Sequence, residues 1–285
     1  MNLLLDSQFG DLDHLATHTR GWDLDFRLTQ KGGFSGQIRQ VSLPHLLITY
    51  ARFGSRLHQS GATPPGFRTF VVPTAACGPF WWLGYKVDNR SLLRFGPEKE
   101  LAAVSNADFA VYTISLQDAY LGELAQTLGK PGVATGRGVI RLSATHMAHL
   151  RNQLQMATFN ASETVRRTYA QHLAEGLVSA CAVGEALPPP ASRGRDGAVK
   201  RVLDFLADDP AVMPDIATLC GIAHVSERTL QYAFRERYGL SPNAFVRCWQ
   251  LNSARRLLRC SGRDDIRIAD VAAHYSTLEF DLSAG

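Results

Sequence analysis

Paired cysteines are missing from this 285-residue chain. Its five cysteines, Cys77, Cys181, Cys220, Cys248 and Cys260, are odd in number and none stand at C-x-x-C spacing, which argues against a disulfide framework or a zinc site. They read as small buried apolar residues. Long apolar runs are missing too, since nothing approaches the roughly 20 residues a membrane span needs. The start, Met-Asn-Leu-Leu-Leu-Asp-Ser-Gln, has no basic flank and meets Asp6 after three leucines, so a cytoplasmic protein without a membrane partner is expected. Catalytic signatures are equally scarce. No Gly-x-Ser-x-Gly elbow occurs, and Gly132 to Gly138 lacks the lysine and spacing of a phosphate loop. His14 and His18 lie one helical turn apart, but no His-x-His with a following Glu is present. Neither metal, nor cofactor, nor enzymatic activity is expected.

What is present suggests two domains, since the chain is long for one core and its composition is that of an ordinary globular protein. The segment GEALPPPASRGRDG, residues 184–197, concentrates proline, glycine and mixed charge and is expected to form a stiff exposed linker without helix or strand. Upstream, from about residue 21 to 115, short apolar stretches alternate with glycine and proline, the texture of a small β barrel or sandwich. Three helices follow over about 116–183, marked by Leu116, Tyr120, Leu121, Leu124 and Leu128, then Met147, Leu150 and Leu154, then Val165, Tyr169, Leu173 and Leu177. The stripes of the later two suit either the barrel or a second subunit. Residues 1–183 are thus expected to be a sensor and dimerisation domain, and 198–285 an all-helical domain. Phe67, Phe70, Phe80, Trp81, Trp82, Tyr85 and Phe95 either line a ligand pocket, with Arg52, Arg68 or Glu100 fixing polar groups, or form the barrel core.

The most informative run begins at Val225. Ser226 suits an N-cap, Leu230, Ala233, Phe234 and Tyr238 recur at helical spacing, Gly239 suits a left-handed end, and Ser241 with Pro242 starts the next helix. Before it, Ile216, Leu219, Cys220 and Ala223 form the inward face of a short supporting helix, with Cys220 where a small residue permits close approach. His224 stands where the turn usually takes glycine. Residues 227, 228, 231, 232 and 235 then project outward at the end that enters the major groove. Arg228 suits guanine, Gln231 adenine and Tyr232 a base edge or thymine methyl, while Arg235 and Arg237 suit phosphates. Between Ser226 and Arg263 eight arginines face two acids, a local excess of six positive charges.

Over about residues 196–277 the chain resembles the AraC/XylS family of transcription regulators, through VSERTLQYAFRERYGLSPNAFVRCWQLNSARRLL. The resemblance implies a first helix-turn-helix, a long linker helix and a second helix-turn-helix. It places Leu230 and Phe234 in the core, and Arg228, Gln231 and Tyr232 at bases. Phe245, Leu251, Ala254, Leu257 and Leu258 would form the buried face of the linker helix. Gln250 replaces a usual arginine, which is expected to weaken a polar contact. Upstream, DLDHLATHTRGWDLDFRLTQKGGFSG, PPGFRTFVVP and DFAVYTISL resemble the sensors of ethanolamine-operon-type regulators, implying a cupin-like β barrel and dimerising helices. The fold class expected is therefore α+β, with the cupin-like barrel and flanking helices followed by an all-α helix-turn-helix domain.

The second helix-turn-helix starts with Ile266, Ile268, Val271 and Ala272, but Ser276 and Thr277 replace the expected turn glycine and aromatic, and Ser283 occupies an inward position. A truncated, incomplete second motif is expected. The function expected is sequence-specific double-stranded DNA binding through Ser226, Glu227, Arg228, Thr229, Gln231, Tyr232 and Arg235. A homodimer would respond to an unknown small-molecule or protein effector, with RNA polymerase as a further partner. The alternatives are a small-molecule-binding barrel with a vestigial DNA-binding half, or a dominant-negative dimer partner.

Overall fold

The stretches Phe67–Pro73 and Phe109–Gln117 are largely buried on both faces because both faces are covered. The protein is described from a computed structural model for residues 2–19, 21–30, 32–96, 100–160, 162–189, 194–260 and 270–271. It divides into two units, one of Met1–Phe26 and Gly32–Pro189, the other of Arg27–Lys31 and Pro190–Gly285.

The strands are β1 (Asn2–Phe9), β2 (Asp23–Leu28), β3 (Gly36–Leu43), β4 (Leu46–Phe53), β5 (Leu57–Ala62), β6 (Phe67–Pro73), β7 (Phe80–Trp82), β8 (Tyr85–Val87), β9 (Ser91–Arg94), β10 (Glu100–Val104), β11 (Phe109–Gln117), β12 (Gly138–Arg141) and β13 (Glu185–Ala186). Helix α1 (Leu12–His18) follows β1, α2 (Asp118–Thr127) and α3 (Gly132–Thr135) follow β11, and α4 (Ala144–Phe159) and α5 (Glu163–Val183) follow β12. One sheet runs β1-β3-β4-β11-β6-β9-β12-β13, the other β2-β5-β10-β7-β8.

The period of two assigns the faces of the first sheet. In β4, Thr49, Ala51 and Phe53 line a cavity with residues of the second sheet such as Trp82 and Leu101. Leu46 and Ile48 instead join Val41, Ile114 and Leu116 in a core with Leu121 of α2, Met147, Leu150 and Leu154 of α4, and Leu173 and Leu177 of α5. The apolar stripes of α4 and α5 are thus consumed within one chain. Phe80, Trp82 and Phe95 of the aromatic group line the cavity, whereas Phe70 belongs to the helix-covered core.

The barrel expected over about 21–115 is instead two sheets, neither closed among the described residues. The physical reason is that the inner face of the first sheet is hidden by a separate second sheet packed over it, so the core closes without joining the strands into a barrel. Strand β1 lies ahead of that stretch and pairs with β3, and Glu185–Ala186, in the segment expected to be a bare connector, pairs with β12. The second unit is helical: α6 (Arg195–Asp208), α7 (Ile216–Ala223), α8 (Glu227–Tyr238) and α9 (Pro242–Cys260). The expectation of a truncated second helix-turn-helix falls outside the described residues, apart from Asp270 and Val271.

Candidate nucleic-acid interface

Local chemistry fixes both ends of α7 and α8. The Asp215 side chain accepts from Thr218 N at 2.7 Å, and these hydrogen bonds hold its carboxyl below the ordinary carboxylate value. α7 ends at His224, whose backbone is left-handed at φ 52° and ψ 43°, and whose N–H donates back to the carbonyls of Cys220 and Gly221. Arg201 of α6 donates from Nε and Nη2 to the Ala223 carbonyl, which ties the turn to a third helix. Burial, with the Glu227 carboxylate nearby, pushes the Cys220 thiol up.

Helix α8 begins at Ser226, whose Oγ accepts from Thr229 N at 3.4 Å, and ends at Gly239, left-handed at φ 70°. Ser241 caps α9 by accepting from Ala244 N, ahead of Pro242. Leu230, Phe234 and Tyr238 are fully buried. Their rings continue into α9: Phe234 meets Phe245 at 5.2 Å, Tyr238 meets Phe245 at 4.2 Å, and Phe245 meets Trp249 at 6.0 Å. Trp249 Nε1 donates to the Leu206 carbonyl at 3.0 Å, so α6 and α9 are joined by a buried hydrogen bond.

This packing presents one outward face of α8. Glu227, Arg228, Gln231, Tyr232 and Arg235 line a shared surface hollow. The Arg228 guanidinium lies 5.3 Å from the Tyr232 ring centre and 3.4 Å from its hydroxyl, an arrangement that orders both side chains ahead of any partner. Tyr232 is 51 % exposed, unusual for so large a ring. Ser226 and Thr229, also expected at the DNA, are engaged with each other at the helix start rather than standing in that hollow.

Several expectations change. Arg237 is buried rather than phosphate-facing: it lies seven residues after Leu230 and three after Phe234, on the core stripe. Its charge reaches Asp196 of α6, whose carboxyl is pushed up mainly by burial while Arg237 pulls it down. Leu251 and Leu258 are 54 % and 39 % exposed, because the buried stripe of α9 runs through Phe245, Val246, Trp249, Gln250 and Ser253, and Leu251 points away from it. Gln250 makes a polar contact in its own way, its Nε2 donating to the carbonyls of Ala211 and Val212.

Among the described residues no three His, Cys, Asp or Glu side chains converge as a metal site, and no described helix is long and apolar enough to cross a membrane.

Residues 219–276 match the family profile described as a helix-turn-helix domain. Among solved structures, the AraC-like transcriptional activator CuxR is similar at 15% identity, over 90% of this chain and 96% of its own, with a TM-score of 0.48. ToxT from Vibrio cholerae is similar at 11% identity, over 91% of this chain and 90% of its own, with a TM-score of 0.28. The end of α7 from Leu219, the left-handed turn at His224 and the whole of α8 lie within that matched segment.

Proposed function

We propose that this chain is a cytoplasmic, sequence-specific DNA-binding transcription regulator of the AraC/XylS type, responsive to an effector through its first unit. The observation that carries the reading is the shared outward face of Glu227, Arg228, Gln231, Tyr232 and Arg235 on a helix of the matched helix-turn-helix segment. In the major groove Arg228 would donate in bidentate fashion to guanine O6 and N7, and Gln231 would pair with adenine. Tyr232 would meet a base edge or thymine methyl, and Arg235 a phosphate. Ser226 and Thr229 would act by holding the helix start, with the Thr229 amide capped by Ser226 Oγ. Glu227 would accept from a cytosine amine.

An effector would be received between the two sheets, where the cavity of about 60 Å³ is far below the range of small-molecule sites and would have to open to admit one. Its lining contains no charged side chain, yet Trp22 Nε1, Gln59 Nε2 and Trp82 Nε1 are buried there without a hydrogen-bond partner among the described residues. Unpaired buried donors are costly, so the cavity suits a small neutral molecule that offers acceptors. A homodimer, with RNA polymerase as a further partner, would link two such readers. Since the α4 and α5 stripes are used internally, its contact would use other surfaces.

The test is fluorescence anisotropy of the full chain with labelled genomic fragments. Arg228→Ala and Gln231→Ala should each weaken specific binding by about 10- to 100-fold, as loss of one base readout does. If the double variant bound its fragment as tightly as the wild type, the reading would fail and the small-molecule-binding alternative would take its place.

A further inference from the structure

On the outer face of the first sheet, α4 stops before it has covered the strands. Ile48, Tyr50 and Arg52 of β4 share that face. Ile48 is opposite Val41 and Ile114 in the helix-covered core, and Tyr50 is opposite Arg39 and Tyr112. Arg52, two residues further on, is opposite Gln37 and Ala110, beyond the end of α4. A cleft of about 650 Å³ results, within the range of small-molecule sites.

Three aromatic rings stand in its lining among small and polar residues. Tyr50 and Tyr112 meet at 5.2 Å, and Phe159, the last residue of α4, stands edge-on to Tyr50 at 5.4 Å while remaining 39 % exposed. Its charges are available. Arg52 and Asp108 both line the cleft, and no salt bridge among the described residues engages either. Thr74 Oγ1, also in the lining, is buried without a hydrogen-bond partner among the described residues. A solvated sheet edge has no use for three rings around an unpaired acid, an unpaired base and an orphaned hydroxyl.

We propose that this cleft is a second ligand site, for a small aromatic molecule that carries both a carboxylate and a hydrogen-bond donor, an aromatic amino acid being the simplest member of the class. The ring packs against Tyr50, Tyr112 and Phe159, the carboxylate takes a charge-assisted hydrogen bond from Arg52, and the ammonium donates to Asp108. Thr74 Oγ1 supplies a further polar contact. The site is on the opposite face of the first sheet from the cavity between the sheets, and it stands whether or not the chain reads DNA.

The experiment is isothermal titration of the full chain with L-tryptophan, tryptamine and indole-3-propionate. Tryptophan should bind more tightly than either partial analogue. Arg52→Met should weaken tryptophan at least about tenfold and remove its advantage over tryptamine. Asp108→Asn should remove its advantage over indole-3-propionate. Both side chains are exposed, so far-UV spectra of the variants should match the wild type. Absence of binding by all three probes at millimolar concentration would overturn the proposal. So would equal binding of the three, or tryptophan binding that neither variant changes, which would put the molecule elsewhere.

Discussion

Replacing Phe234 by alanine removes a ring that joins α8 to α9. Phe234 is fully buried and meets Tyr238 at 5.5 Å and Phe245 at 5.2 Å. Phenylalanine-to-alanine changes in cores cost about 3–5 kcal/mol, the lost transfer energy plus the cavity left behind. Two specific ring contacts place this site in the middle of that range or above, so about 4 kcal/mol is expected. A domain holds only about 5–15 kcal/mol in total, so α8 would lie near the limit of its stability. Because the chain has two units, a global melt does not isolate the effect, but hydrogen exchange of peptides covering Glu227–Tyr238 does. Exchange through opening should accelerate by about three orders of magnitude in Phe234→Ala and by no more than about tenfold in Phe234→Leu. Peptides from β4 and β11 should be unchanged. If Phe234→Ala accelerated exchange in α8 by less than tenfold, Phe234 would not be the joint described.

Arg201→Met removes both donors to the Ala223 carbonyl, and about 2 kcal/mol of helical-unit stability should go with them, together with DNA affinity, although Arg201 is not on the outward face of α8. Urea titration followed by helical circular dichroism checks this. His224→Gly should stabilise the unit by about 1 kcal/mol, since glycine adopts the left-handed turn without a Cβ penalty, and it should appear as a higher unfolding temperature. Stability should also fall at both pH extremes. The folded value of Asp215 lies below its ordinary 3.8, so its contribution is present above that value and disappears as pH drops through the folded one. Burial pushes the Tyr238 phenol up to about 12, so the folded state keeps a proton that the unfolded chain loses from pH 10 upward. Stability should therefore decline between pH 10 and 12, and Tyr238→Phe should flatten that decline in pH-dependent melts.

Helix ends were legible because capping is local. Ser226, Gly239 and the pair Ser241 and Pro242 each act within a few residues, and each does what its identity suggests. Along the helices, phase rather than residue type decides which side chains are buried. Arg237 repeats the spacing of Leu230 and Phe234 and is buried despite its charge, while Leu251 is apolar yet falls outside the α9 stripe. The signal was present in the arithmetic of 3.6 residues per turn. For the sheets it was not, because which aromatic rings share a cavity depends on strand register. Phe70 and Phe80 are equally apolar, yet they occupy opposite sides of the first sheet. The outer cleft depends on a still longer-range fact, that α4 ends at Phe159 before reaching Arg52.

The central claim, that the outward face of α8 reads bases, is tested most directly by selecting bound sequences from a random duplex library with the wild-type chain and with Arg228→Ala. The wild type should enrich a defined motif, and Arg228→Ala should lose preference at one guanine-containing position while keeping the rest. Identical enriched motifs from the two proteins, or no motif from either, would contradict it.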